Sequence, residues 1–281
     1  MDVKPRAPAN GPDAVANGST SPSRHSPRGQ GNRRVPEVTA LFWVIKILTT
    51  AMGESTSDYL VHRLDPVVAV ALGGVALAAA LLVQFSVRRY LAPIYWSAVV
   101  MVAVFGTMVA DVLHIKFGVP YQVSTGLFAI VLAVVFLAWH QSEATLSIHS
   151  IYTTRREAFY WAAVVSTFAL GTALGDMTAT TLHLGYFVSG VLFVGLIAVP
   201  ALAFRFLNLN AILAFWSAYV LTRPLGASFA DWMGKSHAVG GLAWGDGRVS
   251  FGLTVLIVGL VGYLTVTRRD GREQEPAPVS S

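Results

Sequence analysis

FWVIKILTTAMGESTSD, residues 42–58, decides the fold. It is an apolar run of helix length that opens on an aromatic–tryptophan pair and ends on an aspartate. Three later stretches repeat its frame: YWSAVVMVAVFGTMVAD at 95–111, YWAAVVSTFALGTALGD at 160–176 and FWSAYVLTRPLGASFAD at 215–231. Ten residues after Trp43, Trp96, Trp161 and Trp216 stand Gly53, Gly106, Gly171 and Gly226. Fifteen residues after them stand Asp58, Asp111, Asp176 and Asp231. Twelve positions agree in type and spacing without a gap, which marks a tandem array.

The environment of the array follows from composition. The chain is 54% apolar and 12% charged, with a mean hydropathy of +0.58, whereas soluble domains carry about twice that charge fraction. Long apolar stretches fall near 38–60, 66–86, 92–114, 119–139, 157–182, 186–204, 210–232 and 250–267. Each is long enough to cross a bilayer as a helix. They are continuous rather than alternating, which excludes barrel strands. The expectation is an all-α integral membrane protein with eight transmembrane helices. Each repeat holds two spans, so all four copies share one orientation around a pseudo-symmetry axis along the membrane normal. The odd helices should surround that axis and the even helices should stand outside. The aromatic pairs read as interface anchors, and the repeated glycines as points of close helix approach.

The domain reading is a disordered tail over 1–36, repeat 1 over 37–90 and repeat 2 over 91–143. A loop with repeat 3 covers 144–206, repeat 4 covers 207–269, and a second tail covers 270–281. The first tail is rich in Pro, Gly, Ser and Arg and has little to bury. Fourteen Lys and Arg lie on the side of the two termini, and only Arg63, Lys116, Lys235 and Arg248 on the other. The positive-inside rule places both termini in the cytoplasm, and the localisation expected is a bacterial inner membrane. The high pI follows from that asymmetry and does not call for nucleic acid. There is no cysteine, which removes thiol chemistry and thiolate ligands.

Three segments resemble a known family: Gly53-Glu54 through Asp58-Tyr59, Thr153 through Trp161, and Thr222-Arg223-Pro224-Leu225-Gly226-Ala227-Ser228. The family is a bacterial membrane-protein family of four tandem two-helix repeats of unknown function, each with a characteristic tryptophan. The resemblance covers about 37–269. It implies architecture and no activity.

Function has to be read from charges inside the spans, each costing roughly 2.5–3.5 kcal/mol to place mid-membrane. These are Lys46, Glu54, Asp58, Asp111, Asp176, Arg223 and Asp231. Lys46, Thr50, Glu54 and Asp58 step by four and share one helix stripe. The expected site is an ion- or substrate-binding group of Glu54, Asp58, Asp111, Asp176 and Asp231, with Lys46 and Arg223 tuning its charge. The alternatives are solvated helix ends for the aspartates and a structural ion pair for Arg223 with Glu54 or an Asp. Proline at 224 should kink its helix. His62, His114, His183 and His237 follow the four aspartates and form a candidate metal set, against a reading as ordinary loop histidines. The expected function is a transporter or permeation pathway for a divalent metal or a proton. The alternative is a non-transporting accessory protein with an internal polar network. No enzymatic motif and no cofactor is read. The expected partners are the lipid bilayer and a cation; oligomeric state is left open.

Overall fold

The computed structural model describes residues 33–267. They form eight long α-helices: α1 (Ala40–Arg63), α2 (Pro66–Ser86), α3 (Ala92–Ile115), α4 (Tyr121–Glu143), α5 (Thr154–Asp176), α6 (Tyr186–Phe206), α7 (Ala211–Gly234) and α8 (Asp246–Thr267). A π-turn, Met177–Thr181, extends α5. Several starts are written locally. Asp65 accepts from the backbone of Val67 ahead of Pro66, Thr153 from Arg156 and Asn210 from Ile212, so each supplies an oxygen to otherwise unpaired first-turn amides. Pro224 lies within α7 and does not end it.

The odd helices α1, α3, α5 and α7 form a closed ring, each packed on the next and α7 returning to α1. The even helices stand outside, as the repeat predicts. Each covers the inner helix of the following repeat rather than of its own: α2 lies on α3, α4 on α5, α6 on α7, and α8 closes back on α1. The repeats are thereby interlocked. Burial separates the two layers: 72% of the apolar window of α5 is buried against 11% of that of α2.

Six helices, α2 to α6 and α8, are long and apolar enough to cross a membrane. The other two, α1 and α7, carry Lys46, Glu54, Asp58, Arg223 and Asp231, and both lie in the inner ring. Outer faces are greasy: Leu72, Val75, Ile130, Leu137, Phe251 and Val258 are all exposed. Charge inside and hydrocarbon outside is the distribution a bilayer imposes.

Two contacts recur around the ring with the same one-repeat step. The aromatic residue of each repeat meets the tryptophan of the next: Phe42 with Trp96 at 5.6 Å, Tyr95 with Trp161 at 5.6 Å, Tyr160 with Trp216 at 6.2 Å and Phe215 with Trp43 at 5.7 Å. Trp96, Trp161 and Trp216 are buried. Where interface anchors were expected, these rings pack on one another at one end of the inner ring, and Trp43 alone of the four tryptophans is half-buried. The second contact uses the repeated glycine, which receives the residue seven after the next tryptophan. A Cβ on Gly53 would stand 2.5 Å from that of Ala103, and one on Gly106 2.8 Å from that of Phe168. At Gly171 it would overlap Arg223, and at Gly226 Thr50.

Arg34, Val35 and Pro36, placed by composition in a loose tail, are buried against the bundle. Arg34 pairs with Glu157 at 2.5 Å, and Gln84 donates to the same carboxylate at 2.8 Å. The rest of the expected tails, 1–32 and 270–281, lies outside the described residues. So do Lys4, Arg6, Arg24, Arg28, Arg268, Arg269 and Arg272 of the orientation argument.

Candidate cation site in the helix ring

An α-helix turns once in 3.6 residues, so positions three, seven, eleven and fifteen after each tryptophan make one slowly drifting stripe. On all four inner helices this stripe is buried, Asp176 alone being half-buried. Sixteen side chains therefore stack in four layers inside the ring.

The layer nearest the aromatic pairs holds Lys46, Val99, Val164 and Tyr219. The Lys46 Nζ lies 4.0 Å from the Phe168 ring centre and 4.2 Å from that of Tyr219. It has no hydrogen-bond partner, so the π faces are what it faces.

Arg223 enters one layer deeper and reaches toward the third, which holds Glu54, Thr107, Thr172 and Ala227. Its Nη2 donates to Glu54 Oε2 at 2.5 Å, to Thr172 Oγ1 at 2.7 Å and to Thr107 Oγ1, and its Nη1 donates to the Thr50 carbonyl at 3.2 Å. Three repeats thus converge on a guanidinium supplied by the fourth, whose own residue in this layer is the small Ala227. Both threonine hydroxyls donate back along their helices, Thr107 to Ala103 O at 2.9 Å and Thr172 to Phe168 O at 3.1 Å. That leaves their lone pairs to accept from Arg223. The expected pairing of Arg223 with Glu54 is present.

The fourth layer is the aspartate ring. Carboxylate oxygens of Glu54, Asp176 and Asp231 all lie within 4.8 Å of one another. Asp111 accepts from Ser57 at 2.8 Å and has Glu54, Asp58 and Asp176 as electrostatic neighbours. Lys235 closes the group: its Nζ is 2.5 Å from Asp58 Oδ2 and 3.7 Å from Asp231 Oδ1. Oxygen donors at such separations suit a hard cation such as Mg²⁺, Ca²⁺ or Mn²⁺.

The four-fold frame matches a family model four times, over residues 41–90, 94–145, 159–208 and 214–270. The chain belongs to the family described as Repeat of Unknown Function (DUF347). Each matched DUF347 segment spans one inner helix and the outer helix that follows it. No curated protein and no solved structure matches the chain.

Within the DUF347 frame the histidines stand apart from the carboxylates. His62 bonds to the Asp58 carbonyl at 2.6 Å, His114 to that of Val119 at 3.0 Å and His237 to that of Gly241 at 2.8 Å. His183 is exposed on a positive-φ turn. The only metal-capable group among the described residues contains no histidine. Lys235 is the residue sequence reading misses, being counted with the basic residues outside the spans. Its signal was its place four residues after Asp231, on the same helical face. Burial works against its charge, but Asp231, Asp58 and Asp246 outweigh burial and hold the Lys235 ammonium above the ordinary lysine value.

Proposed function

We propose that this chain is an eight-span protein of a bacterial inner membrane, with both termini cytoplasmic, that transports or conducts a cation. The cation is a divalent metal or a proton. The observation that carries the reading is the convergence of Glu54, Asp176 and Asp231 at the end of the helix ring opposite the aromatic pairs. Carboxylates at one depth on separate helices bring several oxygens to a single ion without a loop to hold them. Asp58 and Asp111 complete the shell through Lys235 and Ser57. Arg223 places fixed positive charge beneath it, which limits how far a cation travels before the ring must rearrange. The reading is of a non-enzymatic protein whose partners are the bilayer and its cation.

A second reading has a specific observation of its own. Arg223 is fully enclosed and engaged by four acceptors, and Tyr95, Trp96, Tyr160, Trp161 and Trp216 are buried at the far end of the ring. A protein that never opens, with this network as its core, is an accessory membrane component. Flux into proteoliposomes separates the two. Wild type should pass at least one of Mg²⁺, Mn²⁺, Co²⁺ or protons faster than empty vesicles, and at least two of Asp58→Asn, Asp111→Asn, Asp176→Asn and Asp231→Asn should abolish it while inserting normally. No flux of any of these ions favours the accessory reading.

A further inference from the structure

Two cations of the chain touch its carboxylate core, and they are held in opposite ways. The Arg223 side chain is 0% exposed and locked on four acceptors. That of Lys235 is 22% exposed and is paired with Asp58 and Asp231, with Asp246 a further acidic neighbour. Its backbone is fixed. Lys235 ends α7 in extended conformation. Its carbonyl accepts from Ala243 at 2.8 Å, and Leu242 N–H bonds back to Trp232 O at 2.7 Å. Gly241 lies so close to the Lys235 carbonyl that any side chain there would collide with it. The anchor is therefore held by its backbone bonds, whereas the four-carbon stem above it has rotatable bonds that can re-aim the ammonium.

We propose that the Lys235 ammonium is a tethered stand-in for the transported cation, seated between Asp58 and Asp231 when the chamber is empty and displaced from that seat when a cation enters. The inference rests on reading the chamber as a cation site. Asp231 is the shared element, since it belongs both to the lysine seat and to the Glu54–Asp176–Asp231 group. An ammonium and a divalent ion competing for one carboxylate cannot both keep their full shells. The competition sets two properties. It lowers affinity enough for the ion to leave again, and it keeps the carboxylates from repelling one another between cycles. The lysine is particular to the fourth repeat: the others place His62, Ile115 and Thr180 at the equivalent site.

The test uses full-length protein in nanodiscs, with Mn²⁺ as probe, binding followed by electron paramagnetic resonance and stability by Tm. Lys235→Met should bind Mn²⁺ at least about tenfold more tightly than wild type, the scale of a single displaced charge contact. Its metal-free Tm should fall, and Mn²⁺ should restore it. Lys235→Arg, which keeps the charge, should bind like wild type. If wild type binds and Lys235→Met binds equally or more weakly, the stand-in is refuted while the cation site survives. If only Lys235→Met binds, the stand-in holds and the transport reading fails. If neither binds and Mn²⁺ does not rescue the Tm of the variant, both fail.

Discussion

The two ends of the inner ring are built from the same repeat and differ in how faithfully they keep its symmetry. At the aromatic end each ring meets the tryptophan of the next repeat, four times over, at 5.6–6.2 Å. At the carboxylate end the four aspartates are repeated but their partners are not. Asp58 has Lys235, Asp111 has Ser57, Asp231 shares Lys235, and Asp176 lies with Glu54 and Asp231. Lys46, Glu54, Arg223 and Lys235 all come from the first and last repeats. Repetition thus builds the closure, and departures from repetition build the charge pattern. The aromatic end reads as scaffold and the carboxylate end as the place where chemistry was added.

The sharpest way to break that division is at Arg223 and Glu54, where the two ends meet. Either Arg223→Met or Glu54→Gln leaves its partner buried and uncompensated, at a cost of about 3–5 kcal/mol. Thermal unfolding of the purified protein should show both losses, and the double variant should be more stable than the sum predicts. Additive losses would mean that the pair is not a unit.

The glycine contacts sharpen the same comparison between layers. Gly171→Ala and Gly226→Ala put a methyl into Arg223 and Thr50, an overpacking of about 1–3 kcal/mol. Gly126 in α4 and Gly195 in α6 face open space. Alanine there should be neutral or stabilise by up to about 1 kcal/mol through helix propensity. Equal Tm changes in the two sets would undo the assignment of inner and outer helices.

Among the aromatic pairs the effect is smaller. Tyr160→Phe removes the 2.5 Å contact between the Tyr95 and Tyr160 hydroxyls and should cost about 1 kcal/mol, with cation binding unchanged. A loss of binding in that variant would move the functional boundary into the aromatic end.

The smallest effect concerns pH. Burial first, then Arg33, pushes the His149 imidazole below its usual value. The folded protein therefore binds that proton less readily than the unfolded chain. The associated stability is present above the unfolded value, about 6.5, and is lost as pH falls through the lowered one. His149 is more than a third exposed, so screening keeps the effect slight. His149→Gln should flatten a shallow decline in Tm between pH 7 and pH 5. A wild-type Tm that rises on acidification would contradict the sign.

Much of this was legible in the sequence because Trp, Gly and Asp recur at fixed spacing, and each spacing survives as a contact. The four-residue step from Lys46 to Asp58 foretold a buried stripe, and Arg223 found the carboxylate that its depth demanded. Other features were hidden for physical reasons. The outer helices are uniformly apolar, so nothing in them says that α2 covers α3 rather than α1. Tryptophans near span ends read as interface anchors, yet Trp96, Trp161 and Trp216 are buried in the bundle. Glu157 sits beside Arg155 and Arg156 and looks like part of a wet surface, yet it is fully enclosed by Arg34 and Gln84, which lie more than seventy residues away in sequence. Lys235 depends on a turn whose shape comes from Gly241 and on an aspartate from the first repeat.

The most direct measurement is Mn²⁺ binding to full-length protein in nanodiscs, comparing Asp176→Asn and Asp231→Asn with Asp111→Asn. Geometry places the first two in the same oxygen group as Glu54 and ties the third to Ser57. One ion per chain should bind to wild type, and Asp176→Asn and Asp231→Asn should each weaken it by at least about tenfold, or 1.4 kcal/mol. Asp111→Asn should weaken it less. Equal losses in all three, or no saturable binding to wild type, would contradict a cation site at the carboxylate end of the ring.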